Sequence, residues 1–352
     1  MPLLDPALSR AEIKSVIEGK GAARRIPLAI HQWIHAEDFG SRQALYREVL
    51  DQYPSDIKTI TFNIPHIFDA PCDDASYRWL NYDDPFRQVS KETGTALDAV
   101  NALDDWAKLD GVLADFPSPG YAGLITQNPP PDDGVYRLGH WWYWLFERLW
   151  SIRGMENALC DFYENGDQVR RLFRSLTDFY KVMISRGRKE LGLDAVWTSD
   201  DIGMQTGPFF SENIFVEFFK PYYKELIEHA HSLGMHFWLH SCGNILPFIP
   251  HLIEIGLDVL HPIQKYTMDE REVASKFGRD ICIWAGMDVQ QTIPYGSPDD
   301  VRREVRFMFD TYYRKEGRLM LTAGNGMTPD TPLESLKAFL DEALNYGLKI
   351  CK

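Results

Sequence analysis

The stretch MHFWLHSCGNILPFIPHLIEIGLDVLHPI (residues 235–263) carries the pattern that decides the fold. MHFWLH (235–240) is an apolar run of strand length, ILPFIPHLIEI (245–255) predicts a short helix, and LDVLHPI (257–263) predicts a second strand. Two strands joined by a helix run parallel, with a right-handed crossover. The stretch is therefore one strand–helix–strand unit of an α/β protein.

The same alternation continues in both directions along the chain. Further short apolar runs predict six more strands, at 26–31, 57–62, 121–126, 193–201, 280–286 and 318–324. Eight such units in 352 residues predict a single (β/α)8 TIM barrel with a helical extension at the N-terminus. The alternative is a doubly wound open sheet, but no GxGxxG motif follows the first predicted strand, which weighs against the dinucleotide-binding form of that fold.

The chain is predicted to form one domain over residues 1–352, with one irregular part. Segment 66–155 contains PCDDASYRWLNYDD and QNPPPDDG, which are typical of loops. We expect a long insertion near strands two and three that covers the mouth of the barrel as a lid. Beyond it, apolar residues at helical spacing predict helices over 156–190 and 212–233, the second kinked or split at Pro221.

The composition weighs against several classes of function. The sequence has 37 Lys and Arg against 51 Asp and Glu, a formal net charge of −14, so nucleic acids and anionic membrane surfaces are unfavourable partners. No apolar run approaches the roughly 20 residues of a membrane-spanning helix, and the N-terminus has no apolar core of signal-peptide type. The five cysteines are widely spaced without a CxxC pair, which is typical of a reducing compartment. We expect a cytoplasmic protein with a small-molecule substrate, and the apolar content leaves room for a homodimer interface.

Polar side chains follow the predicted strands at the point where each strand ends. The residues at this position are His31, Asp200, Asp201, His240, Cys242, His261, Gln264, Asp288 and Asn325. In a barrel enzyme the active site is built at the carboxyl ends of the strands. We therefore expect these side chains to share one site.

His240 and Cys242 form an HxC pair within WLHSCGN (238–244). Imidazole and thiolate are both good zinc ligands, but a site needs at least a third ligand, for which Asp201 is the candidate. Two alternatives stay open. One is a Cys–His nucleophilic pair, and the other is a structural role in which Cys242 is a small buried side chain and His240 a hydrogen-bonded strand end.

Three acids are candidates for catalysis. Asp200, Asp201 and Asp288 can act as general acids or bases, or can orient an amine or hydroxyl of the substrate. An Asp just after a strand can also cap the following helix, since Asp is a favoured N-cap residue. The two roles do not exclude each other.

Four residues are candidates for substrate binding. His31, Gln264 and Asn325 can form hydrogen bonds with a substrate at the strand ends. The aromatic segment HWWYWLFERLW (140–150) favours a core stripe of a helix, but it can also line the site as an apolar lid, with Trp142 in contact with the substrate.

The chain resembles the uroporphyrinogen decarboxylase superfamily over most of its length. The resemblance is carried by residues 200–264 around WLHSCGN, by IWAGMDVQQTIPYGSPDDVRREV (283–305) and by GNGMTPDTPLESLKAF (324–339). SRAEIKSVIEGKGAARRIPLAI (9–30) is similar to the opening helix and first strand of that family.

The two branches of this superfamily imply different chemistry. True uroporphyrinogen decarboxylases bind an acidic tetrapyrrole through an Arg-rich RQAGRY-like stretch, where this chain has HQWIHAEDFGSR (31–42). The chain looks closer to the cobamide-dependent methyltransferases, in which an HxC motif and a later Cys bind zinc. His240 and Cys242 match that motif, but Asn325 stands at the position of the later Cys.

The resemblance to the methyltransferase branch implies methyl transfer between a small methylated substrate and a corrinoid. The sequence has no DxHxxG motif for cobalamin, so a partner protein would carry the corrinoid. The alternatives are decarboxylation of a tetrapyrrole or aromatic acid, and a binding protein that has lost catalysis, which the absence of Cys at position 325 favours.

Overall fold

A computed structural model of the chain describes residues 5–30, 39–64, 103–129 and 131–352. Its described part contains one parallel sheet with the strands in sequence order, β1 to β7. The strands are β1 (Ile57–Thr61), β2 (Tyr136–Trp141), β3 (Ala195–Ser199), β4 (His236–His240), β5 (Val259–His261), β6 (Cys282–Gly286) and β7 (Leu319–Thr322). Sequential parallel order with helical crossovers is the arrangement of a TIM-barrel-like α/β fold.

The first predicted strand, 26–31, contributes one bridge and no assigned strand among the described residues. Leu28 forms an isolated parallel bridge with Leu321 in β7. The carbonyl of Leu28 also accepts a hydrogen bond from the backbone N–H of Asp56, just before β1. The described sheet therefore has seven strands, where the sequence predicts eight.

Helices follow most strands, and most of the helices form the outer layer. They are α1 (Arg10–Ile17), α2 (Gln43–Leu50), α3 (Leu109–Asp115), α4 (Phe146–Arg153), α5 (Met155–Glu164), α6 (Gly166–Leu191), α7 (Glu212–Ile214), α8 (Lys220–Ser232), α9 (Ile249–Glu254), α10 (Glu270–Phe277), α11 (Thr292–Tyr295), α12 (Pro298–Tyr312) and α13 (Leu333–Ile350). None of the helices in the described ranges combines the length and apolarity that crossing a bilayer requires.

The predicted helix over 212–233 is split, as the sequence indicates at Pro221. A π-helical segment, Phe215–Phe219, separates α7 from α8, and Pro221 lies in the first turn of α8. Proline is tolerated in a first turn because its missing N–H would have no partner there. The helix predicted over 156–190 is likewise two helices, α5 and α6, which meet at Asn165.

The prediction of a third strand over residues 121–126 is wrong. Residues Ala122–Leu124 form a 3₁₀ turn, and the strand between β1 and β3 is YRLGHW, Tyr136–Trp141. The apolar pattern expected of a buried strand is interrupted by Arg137. This side chain is buried, and its guanidinium donates to the carbonyls of Leu191 and Pro131. The pattern is also interrupted by Gly139, where an added Cβ would lie 2.4 Å from Cδ1 of Leu193.

The predicted insertion, 66–155, lies only partly in the described structure. Residues 65–102 are outside the described ranges, and β2 and α4 lie in the rest of the segment. These two elements belong to the sheet and its helical layer, and the lid over the barrel mouth stays a prediction. The prediction of one domain over 1–352 stays a prediction.

The core has two parts, one on each face of the sheet. The larger part lies between the strands and the outer helices. The smaller part holds inward-facing residues of the strands, including Trp197, Trp238 and Trp284, together with α1. Trp284 packs edge-to-face on both other tryptophans, with ring centroids 5.0 and 5.4 Å away. These rings fill the inside of the sheet below its carboxyl edge and form the floor of the site.

Candidate functional site

A cavity of about 360 Å³ opens at the carboxyl ends of β2 to β5 and β7. That volume suits a small-molecule ligand. The described residues lining it are Trp142, Tyr143, Glu147, Ser199, Asp201, His240, Cys242, His261 and Asn325. Six of the sequence-predicted site residues thus meet in one place, namely Trp142, Asp201, His240, Cys242, His261 and Asn325.

The strand register explains why three of these side chains are neighbours. Ser199, His240 and His261 are the last residues of β3, β4 and β5, and they are paired across the sheet. Paired residues of adjacent strands point to the same face. Since Trp197 and Trp238 lie two residues earlier on that face, these three side chains stand directly above the tryptophan floor.

Asp201, His240 and Cys242 form the one cluster of metal-binding type found among the described residues. Their ligand atoms all lie within 4.8 Å of one another. His240 Nε2 is 3.4 Å from Cys242 Sγ and 3.4 Å from Asp201 Oδ1. Two donors on a tetrahedral zinc are about 3.5 Å apart at ordinary Zn–S and Zn–N bond lengths. The two distances from His240 Nε2 are therefore those that a tetrahedral zinc ion requires, and Cys242 Sγ lies within 4.8 Å of an oxygen of Asp201.

The loop after β4 holds Cys242 and Asp201 together. The backbone N–H of Cys242 donates to Asp201 Oδ1 at 2.7 Å. The next residue, Gly243, has φ +81°, and an added Cβ would come within 2.2 Å of the backbone of Gly203. Glycine at position 243 thus permits the close approach of the two loops that carry the ligands.

Gln264 supports this loop instead of lining the cavity. Its Oε1 accepts a hydrogen bond from the backbone N–H of Gly243 at 2.7 Å. It lines a separate small cavity together with Asp288 and Asn325. Its predicted contact with the substrate stays a prediction, and the contact that the structure describes is with the ligand loop.

Asn325 is directed at the thiol. Its Nδ2 donates to Cys242 Sγ at 2.9 Å. The amide thus contacts Cys242 and supplies a hydrogen bond to its sulfur, at the sequence position where the methyltransferases resembled by this chain have a third zinc ligand.

The protonation of the two metal-ligand candidates is shaped by burial. Burial lowers the pKa of His240, because the imidazolium is poorly solvated there, although the charge of Asp201 opposes this. Burial also raises the pKa of the Cys242 thiol well above its ordinary range, and the charge of Asp201 raises it further. Without a cation the site therefore holds a neutral imidazole and a protonated thiol.

Asp200 lies beneath the site and does not line the cavity. Its carboxylate accepts hydrogen bonds from the backbone N–H groups of Leu145, Phe146 and Glu147 at the start of α4, and from the hydroxyl of Tyr223. Burial raises its pKa to about 6, while these donors oppose the rise. These contacts describe a helix-capping role, but at α4, which precedes Asp200 in the chain, and not at the following helix that the sequence suggests.

Asp288 is also occupied by helix capping. It accepts from the backbone N–H groups of Gln290, Gln291 and Thr292 at the start of α11, and from the hydroxyl of Tyr266 at 2.6 Å. Burial alone would raise its pKa, but these donors outweigh it and the pKa is lowered. Asp288 lies at the small second cavity, away from the His240–Cys242 pair.

Trp142 forms a wall of the main cavity, and His31 is outside the described residues. The ring of Trp142 is perpendicular to that of His240, with centroids 5.8 Å apart. The helix predicted over 140–150 starts only at Phe146, so Trp142 lies on the loop after β2. The neighbouring Trp144 is a core residue with no exposed surface.

Glu147 is a candidate functional residue that the sequence reasoning missed. It lies in the first turn of α4, lines the cavity, and its Oε2 accepts from the hydroxyl of Ser199 at 2.5 Å. Burial raises its pKa well above the ordinary value, and the charges of Asp201 and Asp200 add to this. The sequence feature that could have indicated Glu147 is that it is the single acidic residue in the aromatic segment 140–150.

Tyr143 was missed as well. It lies in the left-handed region, with φ +63°, which is unusual for a residue with a Cβ. Its N–H donates to Ser199 Oγ and its carbonyl accepts from the hydroxyl of Tyr180. These bonds hold the backbone in a conformation that turns the ring into the cavity.

The cavity has acidic and aromatic walls. None of its nine described lining residues is Lys or Arg. Arg24 and Arg25 precede Leu28, and they pair with Asp5, Glu12 and Asp56 instead of lining it. The described part of the cavity therefore has no cation to pair with a substrate carboxylate.

A family model matches residues 148–346, more than half of the chain, and its description is uroporphyrinogen decarboxylase (URO-D). The chain belongs to the uroporphyrinogen decarboxylase family. The match covers β3 to β7 and both proposed ligands of the HxC pair. No curated protein sequence matched the chain.

Solved structures with a similar fold include a methyltransferase from Methanosarcina mazei. It is 11% identical, with a TM-score of 0.58 over 96% of this chain and 98% of that one. A D-psicose 3-epimerase is 8% identical, with a TM-score of 0.39 over 88% and 92% of the two chains. A xylose isomerase domain protein from Alicyclobacillus acidocaldarius is 12% identical, with a TM-score of 0.33 over 72% and 95%. At such identities, the methyltransferase supports the fold alone.

Proposed function

We propose that this member of the uroporphyrinogen decarboxylase family is a zinc-assisted, corrinoid-dependent methyltransferase. It would move a methyl group between a small methylated substrate and a corrinoid carried by a partner protein. The single observation that carries the proposal is the spacing of His240, Cys242 and Asp201 at the mouth of the sheet.

The three donors fit zinc by chemistry as well as by spacing. A thiolate and a carboxylate together balance the charge of Zn²⁺, and the imidazole is neutral. Catalytic zinc sites have three protein ligands and leave a fourth position for water or substrate. His240, Cys242 and Asp201 would hold the ion, and Asp201 would take the part that a second cysteine has in the methyltransferases that the sequence resembles.

When bound, zinc would hold a thiol acceptor as its thiolate, the form that accepts a methyl group. The residues of this chain would do the rest. Trp142 and Tyr143 offer apolar surface to a methyl group, and Glu147 offers a carboxyl group for a hydrogen bond with the substrate. Small neutral molecules suit these walls, either the thiol that accepts the methyl group or, in the opposite direction, a methylated donor such as a methoxylated aromatic or a methylamine.

Decarboxylation of a tetrapyrrole is less well supported. A substrate with many carboxylates needs cations where it binds, and the described lining of the cavity has none. A binding protein without catalysis is also less well supported, because His240 Nε2 lies at zinc-site distances from both Cys242 Sγ and Asp201 Oδ1 although position 325 is Asn.

The first test is the metal content of the purified protein after exposure to zinc and desalting. We expect about one zinc per chain in the wild type and almost none in Cys242→Ala. Cys160→Ala is the matched control, since Cys160 is an exposed thiol far from the strand ends. A wild type that keeps no zinc, or a Cys242→Ala variant that keeps all of it, would contradict the zinc site.

The second test concerns the reaction itself. A methylated corrinoid protein is mixed with the enzyme and a thiol, and loss of the methylcobalt absorption is followed. Transfer that depends on Cys242 is expected. Release of CO₂ from uroporphyrinogen without methyl transfer would favour the decarboxylase instead.

A further inference from the structure

His261 is a buried histidine at the site that the proposed ligand set does not use. It is 1% exposed and lies beside His240 on the next strand. Its Nδ1 is 2.6 Å from His240 Nδ1, and its Nε2 is 3.1 Å from the carbonyl oxygen of Gly324. Both of its ring nitrogens are therefore engaged.

Only one arrangement of protons on two neutral rings satisfies both contacts. The carbonyl of Gly324 can only accept, so His261 Nε2 carries the proton. A neutral imidazole has one N–H, which leaves His261 Nδ1 as an acceptor. His240 Nδ1 must then donate, and His240 Nε2 has the free lone pair.

The lone pair of His240 Nε2 points to the proposed zinc position. Nε2 is the atom that lies 3.4 Å from both Cys242 Sγ and Asp201 Oδ1. The chain of hydrogen bonds from Gly324 through His261 thus selects the tautomer of His240 that can bind a metal. The same hydrogen bonds fix the orientation of the His240 ring relative to His261 on the neighbouring strand β5.

We propose that His261 is a positioning residue, which holds His240 in its metal-binding tautomer and orientation. This inference rests on the proposed function, because it concerns the same zinc site. Metal-binding histidines commonly donate their second N–H to a carboxylate or a backbone carbonyl. Here an imidazole takes that place and passes the hydrogen bond on to a backbone carbonyl.

The charges at the site explain why an imidazole suits this position. Asp201 and Glu147 already bring two carboxyl groups to the cavity. A third carboxylate beside His240 would add a buried negative charge with no cation near it among the described lining residues. A neutral acceptor fixes the tautomer without that cost.

The segment after β7 supports both His240 and Cys242, the first indirectly and the second directly. Gly324 accepts from His261, which holds His240, and the next residue, Asn325, donates to Cys242 Sγ. In the methyltransferases that this chain resembles, position 325 gives a zinc ligand. In this chain the segment at that position instead forms hydrogen bonds with Cys242 and with His261, which holds His240.

The test compares His261→Leu with His261→Gln. The Gln side chain can accept from His240 with its oxygen and donate to Gly324 with its amide, whereas Leu can do neither. Affinity for Zn²⁺ and Co²⁺ is measured by competition with a chromophoric chelator, together with the visible spectrum of the Co²⁺ protein. We expect His261→Leu to weaken binding about 10- to 100-fold and to alter the spectrum, and His261→Gln to recover most of both.

A second measurement needs no metal. Long-range ¹H–¹⁵N NMR of the metal-free protein reports which nitrogen of His240 carries the proton. We expect Nδ1 in the wild type and in His261→Gln, and a mixture of tautomers in His261→Leu. His236→Gln, at the opposite end of β4, is the control, and it should change neither the His240 tautomer nor the metal affinity.

The outcomes separate this inference from the proposed function. Unchanged affinity, spectrum and tautomer in a folded His261→Leu would overturn the positioning role alone. Failure of the wild type to bind either metal, with His240 still protonated on Nδ1, would remove the zinc site and keep the hydrogen-bond chain. If His261→Leu does not fold, His261→Asn serves instead, because its shorter side chain cannot reach both partners and should also weaken binding.

Discussion

Two strand ends of the same sheet, after β3 and after β6, carry acids that look alike in sequence and differ in the structure. Asp201 has two described contacts, the N–H of Cys242 and the ring of His240, and its side chain is 37% exposed. Asp288 accepts from three backbone N–H groups, Tyr266 and the hydroxyl of Thr292, and is 2% exposed. A carboxylate that is surrounded by hydrogen-bond donors stabilises its loop, whereas one whose oxygens accept few hydrogen bonds can bind a cation.

Asp200 sharpens the comparison, because it is the neighbour of Asp201 and yet resembles Asp288. The backbone turns between the two acids, so that one faces the start of α4 and the other faces the cavity. We therefore expect loss of Asp201 to affect the metal, and loss of Asp200 or Asp288 to affect stability.

The largest effect is expected for Asp201→Asn. The amide removes an anionic ligand and a charge that balances zinc, so zinc affinity should fall by about 10³-fold, or about 4 kcal/mol. Chelator competition measures this, with Asp288→Asn as the control of similar chemistry. Equal loss of affinity in both variants would contradict the assignment of Asp201 as a ligand.

The next effect is expected for Asp200→Asn. An amide has one acceptor oxygen where the carboxylate has two, so at least one buried donor at the start of α4 or on Tyr223 loses its partner. We expect the free energy of unfolding to fall by about 3 kcal/mol. Urea unfolding measures it, and a variant as stable as the wild type would show that the capping contacts are unimportant.

Glu147 gives a pH-dependent effect. Burial raises the pKa of Glu147 in the folded state, whereas in the unfolded chain it is about 4.3. Between these two pKa values the folded protein binds more protons than the unfolded chain. Stability contributed by the protonated form is therefore lost as the pH rises through this window. Glu147→Gln removes the dependence, and its stability relative to the wild type should increase from pH 5.5 to 7, by at most about 2 kcal/mol, the limit set by one proton over this range.

Unfolding of both proteins across that pH range is the measurement. Glu48→Gln, on the exposed side of α2, is the control and should run parallel to the wild type. A constant difference between Glu147→Gln and the wild type would mean that Glu147 is ionised throughout the range.

The smallest effect is expected for Asn325→Cys. Asn325 Nδ2 already contacts Cys242 Sγ, so a thiolate at this position can reach a zinc ion held by the other ligands. We expect affinity to rise about tenfold, or about 1.4 kcal/mol. Asn325→Ser, which has the shape of Cys without its soft donor, should not tighten binding. Equal affinity in both variants would indicate that position 325 is too far from the metal.

Much of the site could be predicted from the sequence, since it depends on local rules. Parallel strands bring their carboxyl ends to one edge, so an acid after one strand and an HxC pair after the next are neighbours in a barrel-type sheet with its strands in sequence order. Side chains two apart on a strand share a face, which puts His240 above Trp238. The family resemblance rests on the same segment and is confirmed by the match to residues 148–346.

The sequence by itself thus determined the α/β class, most of the strands and the pair His240–Cys242. The tertiary structure decided which carboxylates are free, because the donors that occupy Asp200 come from residues 23 to 55 positions away. It also decided that β2 is a strand with a buried arginine, and that His261 fixes the proton on His240. Hydrogen bonds between distant segments leave no periodic pattern in the sequence, whereas burial along a single strand does.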